Sequence, residues 1–85
     1  MTMLNHKTPA PIRMSLLPAE FRPGDVLVER DMARPLAYVR RKVHTVTIIT
    51  GKDYVAVEVD SDTVTNGTTT KNYPRDRFVT VERGV

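Results

Sequence analysis

Apolar and polar residues alternate most regularly over Val43-His44-Thr45-Val46-Thr47-Ile48-Ile49-Thr50-Gly51-Lys52-Asp53-Tyr54-Val55-Ala56-Val57-Glu58-Val59. Val, Ile, Thr and Tyr dominate the run, as suits a pleated, half-buried surface. Gly51-Lys52 in its middle predicts a two-residue hairpin turn of type II′, with glycine first. That turn sets Ile48 opposite Val55 and Val46 opposite Val57. The apolar residues of both strands then share one face, and Thr45, Thr47, Ala56 and Glu58 share the other.

The same alternation shifts phase in two places. Ala37, Val39 and Val43 are odd-numbered, whereas Val46 and Ile48 are even. A β-bulge near Val43-Thr45 absorbs the shift and bends the strand. Val55, Val57 and Val59 are odd and Val64 is even, which predicts a similar device at Asp60-Ser61-Asp62. His44 is then expected to face inward near Val59, at the rim of the core. Segment 36–50 holds no Gly, Pro, Asn or Asp to break it.

Around this hairpin the remaining strands fall into place. Pro23-Gly24-Asp25 reads as a turn, followed by a strand at Asp25-Val26-Leu27-Val28-Glu29-Arg30 and a loop over 31–35. Asn66-Gly67 is a type I′ hairpin signal, which turns Thr63-Val64-Thr65 into Thr68-Thr69-Thr70-Lys71 and sets Asp62 opposite Lys71. Tyr73-Pro74-Arg75-Asp76-Arg77 is too short for an α-helix and reads as one 3₁₀ turn started by Pro74. Phe78-Val79-Thr80-Val81-Glu82 is the last strand, with Val79 and Val81 facing the core. No stretch carries the 3.6-residue apolar period of a long helix.

The expected architecture is all-β: a small five-stranded SH3-like barrel over 23–85, with a 3₁₀ turn before the last strand and an irregular N-terminal arm over 1–22. Long bent strands let a small sheet curl over one core. An OB-fold is the alternative, but no helix is found between its middle strands. In the arm, Pro9, Pro11, Pro18 and Pro23 interrupt regular structure, and Pro18 opens one short turn. The arm is nonetheless apolar at Ile12, Met14, Leu16, Leu17 and Phe21, which suggests that it packs on the barrel or on a partner chain.

Composition narrows the chemistry. The chain has 85 residues, the size of one domain. It has no cysteine, so disulfides and thiolate chemistry are excluded, and a cytoplasmic setting is expected. No apolar run is long enough to span a membrane. Thirteen Lys and Arg stand against ten Asp and Glu, a formal charge of +3. The sequence pI is about 9.6.

Catalytic groups are scarce. The two histidines, His6 and His44, and the two serines, Ser15 and Ser61, show no spacing that would couple a nucleophile to a base. No metal or other cofactor is expected. Glu58, Asp60 and Asp62 alternate along one strand and read as a solvated edge paired to Arg41 and Lys71, since loops rather than strands wrap a hard cation with enough oxygens. The basic residues Arg40, Arg41 and Lys42, with Lys71, Arg75 and Arg77, could form a nucleic-acid-binding face for which Tyr38, Tyr54 and Tyr73 would be stacking platforms. The same tyrosines would otherwise fill the core rim while the charges face solvent.

From Phe21 to Arg83 the pattern resembles the SH3-like barrel of the plasmid-borne type II dihydrofolate reductases. The matching points are Phe21-x-x-Gly24-Asp25 before the first strand, Tyr54-Val55-Ala56-Val57-Glu58 in the middle, Gly67 in a turn, and Tyr73-Pro74 before a strand ending in Glu82-Arg83. The resemblance implies the fold. Those enzymes are homotetramers with one active pore, lined by a Val-Gln-Ile-Tyr segment and helped by a lysine after the first strand. Here the segment is Thr70-Lys71-Asn72-Tyr73, in which only Tyr73 matches, and at most Arg30 stands near the lysine's position. Fold without reductase activity is therefore the expectation. The function expected is a non-catalytic module that binds a protein partner or self-assembles, through Ile12, Met14, Leu16 and Leu17 of the arm or a groove beside Tyr38, Tyr54 and Tyr73. Nucleic-acid binding and a divergent reductase are the alternatives.

Overall fold

A computed structural model describes residues 10–30 and 37–84. The start of the arm with His6, and the loop expected over 31–35, lie outside the described residues. Over the described residues the fold is all-β, one antiparallel sheet of six strands: β1 (Ile12–Leu16), β2 (Val26–Arg30), β3 (Tyr38–Ile48), β4 (Tyr54–Asp60), β5 (Thr68–Pro74) and β6 (Val79–Arg83). The strand order is β1-β6-β2-β3-β4-β5, and the two edges, β1 and β5, do not pair to close a ring.

The sixth strand corrects the expectation of an irregular arm and a five-stranded barrel. Ile12-Arg13-Met14-Ser15-Leu16 lies antiparallel to β6, from Ile12 opposite Arg83 to Leu16 opposite Val79. The prolines flank this strand rather than interrupt it. Met14 and Leu16 pack against the core of their own chain. Pro18–Glu20 forms a 3₁₀ turn opened by proline, as its sequence predicts.

The bend of β3 organises the rest. Its first half pairs with β2, from Arg30 opposite Tyr38 to Val26 opposite Lys42. Its second half pairs with β4, with Ile48 opposite Val55 and Val46 opposite Val57, and the register shifts between Val43 and Thr45. The hairpin register and the bulge both fall where the alternation of residues puts them. A single extra residue there turns the strand and lets it serve two layers. Leu27, Val81 and Phe21 from one side meet Val43, Val55, Val57, Val59 and Tyr73 from the other in one buried cluster. Val79 packs on its edge. Val26 and Val28 lie on the opposite face of β2 from Leu27.

Turn chemistry differs from the sequence reading in two places. In the β3–β4 loop the Lys52 N–H bonds the Ile49 carbonyl (3.2 Å). Gly51, with φ of 83°, is therefore the third residue of the turn, and the negative φ of Thr50 makes it type II rather than II′. The β4–β5 connection is a seven-residue loop over 61–67, since Asp60 pairs with Thr68. Asn66 takes positive φ (60°) as the third residue of a turn closed by Gly67 N–H to the Val64 carbonyl (3.0 Å). Lys71 consequently lies opposite Val57, not Asp62, and Val64 is exposed in the loop instead of continuing the strand. The segment after Tyr73 is a single turn beginning at Pro74, as its sequence predicts, closed by Arg77 N–H to the Pro74 carbonyl (3.3 Å).

Candidate binding surfaces

The outer face of the β1-β6-β2-β3 layer gathers side chains in rows, because residues opposite one another in a sheet share a face. One row runs Arg13, Glu82, Val26, Lys42; the next runs Ser15, Thr80, Val28, Arg40; Arg30 and Tyr38 form a third. A depression of about 250 Å³ is lined by Arg13, Val28, Tyr38, Arg40 and Thr80. Tyr38 is 58% exposed. The Arg30 guanidinium carbon lies 6.0 Å from the centre of its ring, within cation–π range.

Glu82 is the one carboxylate in these rows. It accepts from Arg13 Nη2 (2.8 Å) and from Arg40 Nε (3.1 Å). The hydrogen bond from Arg40, then that from Arg13, push its pKa down to about 2. Lys42 makes no ion pair among the described residues. The face is thus cationic, with apolar Val26 and Val28 half-buried between its charges.

The inner end of the sheet carries a different polar group. Tyr73, 7% exposed, packs edge-on against Phe21 and donates its hydroxyl to Glu29 (2.7 Å). Burial, and then the adjacent Glu29, raise the pKa of its phenol. Glu29 is also 3.7 Å from Arg41 and 4.0 Å from Lys71. Arg41, nearly buried, bonds Asp62 as well.

A third feature lies at the β3–β4 hairpin end. Phe78 is 65% exposed, Ile48 53% and Ile49 36%. Arg75 donates Nη2 to the Ile49 carbonyl (2.8 Å), and its N–H bonds the Asp53 carbonyl (2.9 Å). These bonds fasten the turn that leads into Phe78 against the hairpin that carries the two isoleucines. The Arg75 Nε is buried without a partner.

The residues expected to act together are therefore separated. Tyr73 belongs to the core, Tyr38 to the outer face, and Tyr54, half-buried, sits opposite Pro74 at the start of β4. The depression beside Tyr38 includes neither Tyr54 nor Tyr73 among its described lining residues. Met14 and Leu16 are half-buried against the core of their own chain, Leu17 is half-buried, and Ile12 is exposed. Of the basic residues, Arg40 and Lys42 share the outer face. Arg41 and Lys71 turn to Glu29, Arg75 holds the hairpin end, and Arg77 is exposed in its turn.

His44 also departs from its expected place at the inner rim. As the extra residue of the bulge it reaches Asp60 on the outer face, Nε2 to Oδ1 at 2.6 Å. That hydrogen bond lowers the Asp60 pKa. Glu58 accepts from Thr68 (2.6 Å) and Thr45 (3.2 Å), so the acidic stripe pairs with hydroxyls and His44 as well as with Arg41. Among the described residues no group of three His, Asp or Glu side chains is placed to hold a metal ion, and no helix is long and apolar enough to cross a membrane.

Arg13, Arg30 and Glu82 are the surface residues that the sequence reading missed. The signal for Arg13 was the alternation Ile12-Arg13-Met14-Ser15-Leu16, which marks a strand with a polar outer face. No protein-family model, curated protein or solved structure matches this chain.

Proposed function

We propose that the chain is a non-catalytic binding module of SH3-like architecture that works by docking a protein partner. The carrying observation is the exposed apolar group of Ile48, Ile49 and Phe78, held in place by the Arg75 bonds to the hairpin. Large apolar side chains left exposed near one end of a small domain are candidate interaction sites. The SH3-like reading is supported by one long bent strand shared between two layers and by the order β6-β2-β3-β4-β5. The non-catalytic reading is supported by how the reactive side chains are used. The Tyr73 hydroxyl is committed to Glu29 inside the core and Lys71 faces the same carboxylate, which leaves neither to serve a reductase pore. His44 is engaged by Asp60, and Ser61 Oγ accepts from the N–H groups of Thr63 and Val64.

A photo-crosslinking phenylalanine at position 78, introduced in the native host, tests the reading. One dominant protein adduct at 78, absent when the probe stands at position 70 on β5, is the expected result. Phe78→Ser should abolish that complex while the domain still melts cooperatively. Equal labelling at both positions, or a complex indifferent to Phe78→Ser, would locate recognition elsewhere.

A further inference from the structure

We propose that the outer face of the β1-β6-β2-β3 layer is a second binding surface, separate from the Phe78 end, and that its ligand is a single-stranded nucleic acid lying along β3. Four cations (Arg13, Arg30, Arg40 and Lys42) and one carboxylate (Glu82) occupy the three rows of this face, although the whole chain carries an excess of only three. The concentration of charge, not the net charge, singles the face out. An extended polyanion is its electrostatic complement.

The order of side chains along β3 chooses among polyanions. Tyr38, Arg40 and Lys42 alternate with inward residues, so they stand on one face about 7 Å apart. That step is close to the rise per nucleotide of an extended single strand. A base stacked on the exposed Tyr38 ring would place successive phosphates over Arg40 and Lys42. Stacking on an aromatic platform beside a basic track is how small β-domains hold single strands without reading sequence. Arg30, over the Tyr38 ring, adds positive charge at the stacking position. The half-buried Val26 and Val28 offer apolar contact for sugar and base edges. An acidic peptide would complement the charge but gains little from the exposed ring. A duplex hides its bases from it.

Glu82 sets the strength of the site. It draws Arg13 and Arg40 inward over β6, so part of their charge is already neutralised and binding is modest. Phosphates must compete with this carboxylate for both guanidinium groups.

Fluorescence anisotropy of the full chain with a labelled oligothymidylate of about 16 nucleotides tests the site. Binding at low salt is expected, with log K falling against log salt at a slope of roughly −2 to −3, as three or four phosphate contacts give on a single strand. Lys42→Ala and Arg13→Ala should each flatten that slope by about 0.7. Tyr38→Ala should weaken binding about tenfold and leave the slope unchanged. Glu82→Gln should tighten binding. A duplex of the same length should bind more weakly than the single strand, and Phe78→Ser should change nothing. The proposal falls if no binding occurs at low salt, or if Tyr38→Ala has no effect. It also falls if polyglutamate of matched charge binds as tightly, which would make the face a protein-docking surface. Loss of binding with Arg75→Ala and Arg77→Ala, while Arg40→Ala and Lys42→Ala bind normally, would move the strand to the other end of the sheet and overturn it as well.

Discussion

Asp25 and Arg83 lie 58 positions apart in sequence and meet in a two-pronged ion pair, Nε to Oδ1 and Nη2 to Oδ2, both at 2.8 Å. Asp25 is 2% exposed and also accepts the Arg22 N–H (2.8 Å), while Arg83 reaches the Glu20 carbonyl (3.3 Å). The pair therefore ties the 3₁₀ turn, the Pro23-Gly24 turn and the end of β6 at one point. Gly24, with φ of 94°, takes the third position of that turn, and its N–H bonds the Val43 carbonyl (2.8 Å) beside the bulge.

Breaking this pair from one side strands a buried carboxylate. Arg83→Ala should destabilise the fold, because it leaves the Asp25 carboxylate without its partner, and Arg83→Lys should recover only part of the loss because one prong is missing. Burial alone would raise the Asp25 pKa, but the Arg83 hydrogen bonds, the Arg22 N–H and the nearby charges together hold it below its usual 3.8. Its contribution to stability is thus present above that value and fades as pH falls through the lowered one. Urea titrations from pH 7 to pH 2 should show the loss in the native chain and a shallower one in Arg83→Ala.

Glu82 should govern the acid response of the outer face. Its folded-state pKa of about 2, against the ordinary 4.5 of a free glutamate, means that its ion pairs with Arg40 and Arg13 persist above pH 4.5 and are lost between there and pH 2. Carboxyl resonances followed by NMR should show Glu82 titrating well below the ordinary glutamate value. Arg40→Ala should move its midpoint upward. A Glu82 midpoint near 4.5 in the native chain would contradict the geometry.

Tyr73 should behave as a structural residue. Tyr73→Phe removes one hydrogen bond to Glu29 and should cost about 1 kcal/mol. The ring keeps its edge-on contact with Phe21, 5.9 Å between centroids. Chemical denaturation would check the value, and a wild-type affinity for any partner should accompany it.

The arm should contribute to folding. Met14 and Leu16 cover the core, so Leu16→Ala should destabilise by about 2 kcal/mol. Deleting residues 1–17 should lower the melting midpoint further by exposing the edge of β6. A deletion variant that melts at the full-length midpoint would show β1 to be dispensable.

Gly67 should resist substitution for a reason peculiar to its loop. A Cβ there would lie 2.8 Å from Val64 Cβ and Cγ1. Gly67→Ala should therefore cost about 1 kcal/mol, whereas Gly84→Ala meets nothing and should be neutral. Paired thermal melts would separate the two.

Local alternation by itself determined the all-β class, the β3–β4 register and the bulge at Val43–Thr45. A strand buried on one face writes a period of two into adjacent residues, and a phase shift leaves the mark of an inserted residue. It also determined the turns at Pro23-Gly24 and Pro18, where proline and glycine dictate backbone angles. Only the tertiary structure decided what each strand and charge would meet. Met14 and Leu16 face Val81 and Val79 across a gap of more than sixty residues, and nothing in the arm's own pattern names that neighbour. Asn66-Gly67 permitted a tight hairpin, but ending β4 at Asp60 and starting β5 at Thr68 depended on how both strands pair around the core. Arg40 and Arg41, adjacent in sequence, part to opposite faces because a strand alternates its side chains. One then meets Glu82 and Arg13 on the surface, the other Glu29 at the edge of the core. Both sets of partners come from distant strands, so the surface they build becomes visible only once those strands lie side by side.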